Sequence, residues 1–228
     1  MATGWPRAII FDLDGTLVDS APDIARALNA GFGPLGVPMY DAASAKALIG
    51  GGARAAIDRA VANAGIDPGS FDQAEAYKRF MQAYAEASAE GKGLYDGAHE
   101  TLGHLKARGV PLALCTNKSH EIALIALRAL GIDGYFGSIL GVRDGHPKKP
   151  DPRMLEAAIA PFAVGVTDVV MIGDSHADIG AAKAAGCLSI AMSYGYAKGP
   201  VADLGADLIV DRLVDLPLAI ERLWAGRM

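Results

Sequence analysis

The 228-residue chain reads as an α/β protein, a doubly wound, Rossmann-like parallel sheet with an all-helical segment inserted near its start. Three observations predict this. Short apolar, β-branched runs alternate with helix-like stretches; those stretches stop at glycines; and the alternation is broken once, over 21–91, by helical patterning alone.

The first run, Arg7 to Phe11, is apolar and ends abruptly at a polar loop, as a strand covered on both faces should. Comparable runs recur at Val110–Cys115, Ser138–Val142, Asp168–Ile172, Leu188–Met192 and Asp207–Val210. Between them, helices are expected at Ala98–Arg108, Ser119–Leu130 and Ala177–Ala185, each followed by a glycine (Gly109, Gly131, Gly186) able to close it in the left-handed conformation. Strand and helix in repeated order mean right-handed crossovers and a parallel sheet.

The interruption contains helices expected at Asp23–Phe32, with Ser20 as its cap, at Ala53–Ala64 and at Phe71–Ala89. In the last of these Phe71, Ala74, Tyr77, Phe80, Met81, Tyr84 and Ser88 recur at a helical period, and are read as the insert's own core. The expected organisation is therefore a core of 1–20 and 92–228 with a helical cap of 21–91 over the first strand's loop.

Composition narrows the function classes. The balance of 21 basic against 26 acidic side chains, with no basic run, argues against nucleic acid or an anionic membrane as partner. Cys115 and Cys187 are too few for a disulfide framework or a thiolate metal site, and both are read as buried filler. The N-terminal Met1-Ala2-Thr3-Gly4-Trp5-Pro6-Arg7 lacks a leader pattern, and no apolar run is long enough to span a membrane. A cytoplasmic protein, monomer or homodimer, acting on a small molecule is expected.

In an open parallel sheet ligands collect beyond the carboxyl ends of the strands. The residues there are Asp12-Leu13-Asp14-Gly15-Thr16 after the first strand and Thr116-Asn117-Lys118 after the second. Lys148-Lys149-Pro150 follows the third and Gly173-Asp174-Ser175 the fourth, with Asp178 one turn on. Carboxylates gathered this way repel unless a cation lies among them. An all-oxygen donor set without His or Cys at ligand spacing selects a hard ion such as Mg²⁺. A lysine and a threonine hydroxyl suit phosphoryl oxygens, and an aspartate can accept a phosphoryl group and pass it to water. Asp12 and Asp14, two positions apart, can address opposite ends of one phosphate ester: one attacks, the other protonates the departing oxygen. Asn117 and Lys118 fit a turn as well as a contact, and Asn117 is carried as a candidate substrate contact. Gly50–Gly52 ahead of a helix are either a flexible joint or an anion-binding turn, with Gly51 and Arg54 as candidate contacts. Asp151-Pro152 reads as a helix start, and the five histidines as incidental.

The string Phe11-Asp12-Leu13-Asp14-Gly15-Thr16-Leu17-Val18-Asp19-Ser20 resembles the first signature of the haloacid dehalogenase-like hydrolase superfamily. Thr116-Asn117-Lys118 resembles its second signature, Lys149-Pro150 its third and Gly173-Asp174-Ser175 with Asp178 its fourth. Over nearly the whole chain their order agrees with the pattern, and the insert resembles the family's cap of the first type. The resemblance implies a phosphatase in which Asp12 is the nucleophile, Asp14 the general acid and base, and Thr116 and Lys149 the phosphoryl holders. It further implies Mg²⁺ held by Asp12, the Asp14 carbonyl and Asp174, with Asp178 orienting a metal water or Lys149. Ile49-Gly50-Gly51-Gly52-Ala53-Arg54 and Asp96-Gly97-Ala98-His99-Glu100-Thr101-Leu102 resemble the phosphoglycolate phosphatase group. Asp151 departs from that group's usual histidine, and His176-Ala177 from its commoner Arg-Asn pair. A sugar-phosphate phosphatase or phosphomutase is the alternative; Asp14 and Asp174 argue against a dehalogenase, and the intact set against a non-catalytic binding protein.

Overall fold

The computed structural model describes residues 4–143 and 145–227; Met1-Ala2-Thr3, read above for a leader, Asp144 and Met228 lie outside the described residues. Six parallel strands form one sheet: β1 (Ala8–Phe11), β2 (Leu112–Ser119), β3 (Ser138–Val142), β4 (Val169–Gly173), β5 (Leu188–Met192) and β6 (Leu208–Val210). Their spatial order is β3-β2-β1-β4-β5-β6. The winding reverses at β1, so the crevice beside its carboxyl end is the topological switch point where ligands collect.

Every residue of β1 is buried, and alternate side chains serve opposite faces. Ile9 and Phe11 join Leu112, Leu114, Val170 and Ile172 in one apolar cluster. Ala8 and Ile10 join Ala113, Val169 and Met171 in the other. Helices α5 (Ala98–Ala107) and α9 (Leu216–Ala225) supply Leu102, Leu105, Leu216 and Ile220 to the first cluster, as α6 (His120–Ala129) does with Ala123 and Leu127. The second cluster takes Met154, Leu155 and Ala158 from α7 (Arg153–Ile159), and Ala181 and Ala182 from α8 (His176–Ala185). Gly109, Gly131 and Gly186 follow their helices at φ between +67° and +74°, the conformation expected of them. Cys115 and Cys187 are buried.

Between β1 and α5 the chain is helical: α1 (Ala21–Phe32), α2 (Ala42–Lys46), α3 (Ala53–Asn63) and α4 (Gln73–Ser88). These helices have their own apolar cluster, built on Leu28, Phe32, Ile57, Phe80 and Tyr84, into which Ile122 of α6 and Tyr196 also pack. Phe80 stacks at 5.7 Å on Tyr84. Some local expectations are corrected. Ser20 makes no capping bond at α1; the Ala21 N–H instead donates to Asp19 Oδ1 (3.3 Å) and to the Tyr196 hydroxyl (3.1 Å). Asp72, rather than Phe71, starts α4, accepting from the Glu75 N–H at 3.0 Å. The short α2, capped where Ser44 N–H donates to Asp41 (2.8 Å), has too few apolar positions to show a period. No helix among the described residues is long and apolar enough to cross a membrane.

Phe80 is fully buried at the centre of the helical insertion. Phe80→Ala should destabilise the protein by about 3 kcal/mol or more, read as a lowered urea midpoint; an unchanged midpoint would show that the insertion does not fold as a unit around it.

Candidate active site

The sheet's carboxyl edge brings the signature residues to one cavity of about 250 Å³, lined among others by Asp12, Asp14, Thr116, Asn117, Lys118, Lys149, Asp174 and Asp178. The helical insertion closes it from the other side with Ile49, the glycines 50–52, Ala53, Ala56, Arg59, Phe80 and Tyr84.

Asp12 extends the β1 ladder by one bond, its N–H donating to the Ile172 carbonyl at 2.9 Å, and this fixes where its carboxylate emerges. Lys149 is the hub. Its ammonium, almost wholly buried, lies 2.9 Å from Asp12 Oδ1 and 2.6 Å from Asp178 Oδ1, and donates to the Cys115 carbonyl at 2.5 Å. Asp178 is aimed by the start of α8: its Oδ2 accepts from the Ser175 N–H (3.0 Å), the Ser175 hydroxyl (2.6 Å) and the Asp174 N–H (3.2 Å). Asp174 is held by the Thr16 hydroxyl (2.9 Å) and the Tyr196 N–H (2.7 Å), one on each oxygen.

The backbone is shaped around these carboxylates. A Cβ on Gly15, whose φ is +86°, would stand 2.4 Å from Asp174 Oδ2. One on Gly195 would fall 2.1 Å from the Asp174 Cβ, and one on Gly173 2.3 Å from the Asp178 Cβ. Glycine at these positions is what leaves room for Asp174 and Asp178.

Asp12, Asp174 and Asp178 each offer a carboxylate oxygen, all within 4.8 Å of one another. Were all three ionised, the one ammonium of Lys149, which touches Asp12 and Asp178, would leave two negative charges unbalanced. Asp12 Oδ1 and Asp178 Oδ1 approach Lys149 as ion pairs without hydrogen-bond geometry, leaving lone pairs unused. Burial, then repulsion from Asp178, pushes the Asp12 carboxyl up to about 7 against the pull of Lys149. Burial, then Asp178 and Asp12, pushes Asp174 well above the ordinary carboxylate range. Burial works against charge on Lys149, but Asp12 and Asp178 outweigh it and hold the lysine protonated. A hard-oxygen, electron-rich, desolvated set of this kind fits a divalent cation.

Thr116 and Lys118 lie where β2 loses its pairing with β3, between Cys115 and Ser119, so the backbone there is free to face the cavity. Asn117 lines the cavity, and its amide group donates to the Lys149 carbonyl (2.9 Å) while its oxygen accepts from the Lys149 N–H (3.0 Å). It fastens the lysine's main chain from both sides. Arg54 departs from its expected place at the cavity. It is exposed, packs at 5.2 Å on Tyr77 and lines a separate cavity with Phe32, Ile57 and Phe71. The reason is helix phase: Ala53, Ala56 and Arg59 lie three apart on the face of α3 toward the acids, whereas Arg54, Ile57 and Val61 lie on another. Gly51 does line the acidic cavity, and its carbonyl accepts from Lys148 at 3.2 Å across the cleft. Asp151 accepts from the Arg153 N–H (3.0 Å) at the start of α7, as its helix-start reading expects. His176, read as incidental, lines the cavity.

Lys118, which fitted a turn as well as a contact, proves to be a contact, and two residues, Tyr84 and Arg59, were not anticipated. Lys118, buried, donates to Asp14 Oδ1 at 2.8 Å and to the Tyr84 hydroxyl. Tyr84 thus presents an apolar ring to the insertion's core and a polar tip to the site; its period marks only the first. Arg59 places Nη1 2.7 Å from both the Leu48 and Gly50 carbonyls and braces the glycine loop.

The chain is similar to known proteins over most of its length. The sequence profile of the family described as "Haloacid dehalogenase-like hydrolase" matches residues 9–192. The phosphoglycolate phosphatase of Pectobacterium atrosepticum is 37% identical over 214 residues, 93% of this chain and 92% of that protein. That of Caulobacter vibrioides is 38% identical, covering 92% and 89%. Among solved structures, a predicted phosphoglycolate phosphatase of Haemophilus somnus superposes with a TM-score of 0.85 at 32% identity, covering 96% of this chain and 99% of that one. A mutant of CbbY from Rhodobacter sphaeroides, in complex with xylulose-(1,5)bisphosphate, superposes at 0.77 with 28% identity, covering 92% and 96%.

A pH signature follows for the metal-free protein. Asp12 titrates near 7 in the fold against about 4 when unfolded, so the folded chain retains a proton that the unfolded chain releases. Its contribution to stability is full below pH 4 and is lost as pH rises through 7. Thermal unfolding without metal should therefore fall in midpoint over that window, and Mg²⁺ should restore more stability at pH 8 than at pH 5.5. Equal Mg²⁺ shifts at both pH values would contradict this arrangement of acids.

Proposed function

Because the chain belongs to the haloacid dehalogenase-like hydrolase family and is a phosphatase, we propose that it hydrolyses 2-phosphoglycolate to glycolate and phosphate through an aspartyl-phosphate on Asp12. The observation that carries this reading is the convergence of Asp12, Asp14, Asp174 and Lys149 on one cavity of about 250 Å³ between the sheet edge and the helical insertion. The segment 21–91 acts as the cap, an assignment supported by its separate apolar cluster and by the cavity walls it supplies.

Asp12, at the end of the central strand, attacks phosphorus. Lys149, pinned by Asp178 and Asn117, meets the equatorial phosphoryl oxygens, with the Thr116 hydroxyl as a directional donor. Asp14 gives a proton to the departing alcohol oxygen and then takes one from the water that opens the acyl phosphate. Mg²⁺ fits the oxygens of Asp12 and Asp174 with the Asp14 carbonyl, and when bound supplies neutralisation of the phosphoryl charge. Asp178 serves Lys149: its Oδ1 lies on the ammonium and, unlike Asp12, its Oδ2 is filled as well, by Ser175 and the Asp174 N–H. With the insertion seated, Phe80, Tyr84 and Ile49 keep bulk water from the first step.

Asp12→Asn should lower kcat by about 10³-fold or more on p-nitrophenyl phosphate with Mg²⁺. The wild-type protein quenched in acid during turnover should carry one hydroxylamine-labile phosphoryl group per chain. Near-normal turnover by the variant would eliminate the covalent route.

A further inference from the structure

We propose that Lys118 is the specificity-determining residue, receiving the carboxylate of a small 2-phospho acid; this rests on the phosphoglycolate reading above. The ammonium of Lys118, from the core, reaches the cavity with its side chain only 2% exposed and touches two groups, Asp14 Oδ1 at 2.8 Å and the Tyr84 hydroxyl. Lys149 is bracketed by two carboxylates on the phosphoryl side. Lys118 has one carboxylate and a phenol, on the side of the leaving group.

Asp14 hands its proton to the ester oxygen, so in the reacting complex its carboxyl lies one hydrogen bond from that oxygen. Lys118, one hydrogen bond beyond Asp14, then stands about 5 Å from the ester oxygen. In a 2-phospho acid a single methylene separates the ester oxygen from the carboxylate carbon, which brings the carboxylate oxygens within about 3 Å of the ester oxygen. That is the space between the two, where Lys118 can donate to a carboxylate while keeping Asp14 as neighbour. The other cations at the cavity are placed differently. Arg59 turns Nη1 to the carbonyls of Leu48 and Gly50, and Lys198 is solvent-exposed. A buried ammonium with an unfilled donor penalises an ester that brings no anion to it, which is selection by an unpaired polar group. Because Tyr84 comes from α4 and Lys118 from β2, the same contact ties the substrate's carboxylate to the seating of the insertion on the core.

The test compares kcat/KM for 2-phosphoglycolate and ethyl phosphate, which share the ester and differ in the carboxylate. Damage to Asp14 lowers both and cancels in the ratio. Wild type should prefer phosphoglycolate; Lys118→Met should cut that preference about tenfold or more, chiefly through KM for phosphoglycolate, and Lys118→Arg should keep most of it. Should Lys118→Met be insoluble, Lys118→Gln gives the same readout with a neutral polar head. If both substrates fall together at an unchanged ratio, Lys118 merely holds Asp14 and the proposal is overturned while the phosphoglycolate reading stands. A wild-type protein with no preference overturns both.

Discussion

Buried negative charge organises this molecule. Asp12, Asp174 and Asp178 come from the ends of two adjacent strands and the first turn of one helix, and two of them, Asp12 and Asp178, close on a single lysine. Such a cluster is unfavourable in a dry interior unless more positive charge completes it. Much of the surrounding chemistry serves to hold it. Ser175, Thr16 and the Tyr196 N–H direct the oxygens, Asn117 fixes the backbone of Lys149, and glycines at 15, 173 and 195 leave room where any side chain would collide.

The parallel sheet makes this possible at low conformational cost. Strand β1 sits between β2 and β4, so its end is flanked by Thr116 on one side and Asp174 on the other without any long loop having to carry them. Side chains positioned by a ladder on both sides are more rigid than side chains on a free loop, and phosphoryl transfer depends on such placement. The helical insertion contributes differently. It supplies cavity walls and one polar tip, Tyr84, and its seating on the core is what the Lys118 contact reports.

The order of residues beyond strand ends made Asp12, Asp14, Thr116, Lys149 and Asp174 legible in the sequence, because a charge following an all-apolar run has no packing reason to be there. The glycine stops marked the helices for the same kind of reason: a positive φ has few other tenants. Other features were hidden. Arg54 and Arg59 differ only in helical phase, and the phase that matters depends on which face of α3 meets the core. Tyr84 falls on the apolar period and looks like packing until its hydroxyl is seen against Lys118. Asn117 resembles a turn residue, and only the approach of the Lys149 main chain from another segment reveals its task. In each case the missing information is a long-range contact, which local pattern does not encode.

In the proposed chemistry the carboxylates of Asp12 and Asp174 are neighbours because a divalent cation belongs between them. Crystals grown with Mn²⁺ in place of Mg²⁺ test it directly through the anomalous signal of the ion. One strong peak should stand within coordinating distance of Asp12 and Asp174 and of the Asp14 carbonyl. A peak elsewhere, or those acids left without one at saturating Mn²⁺, would contradict it.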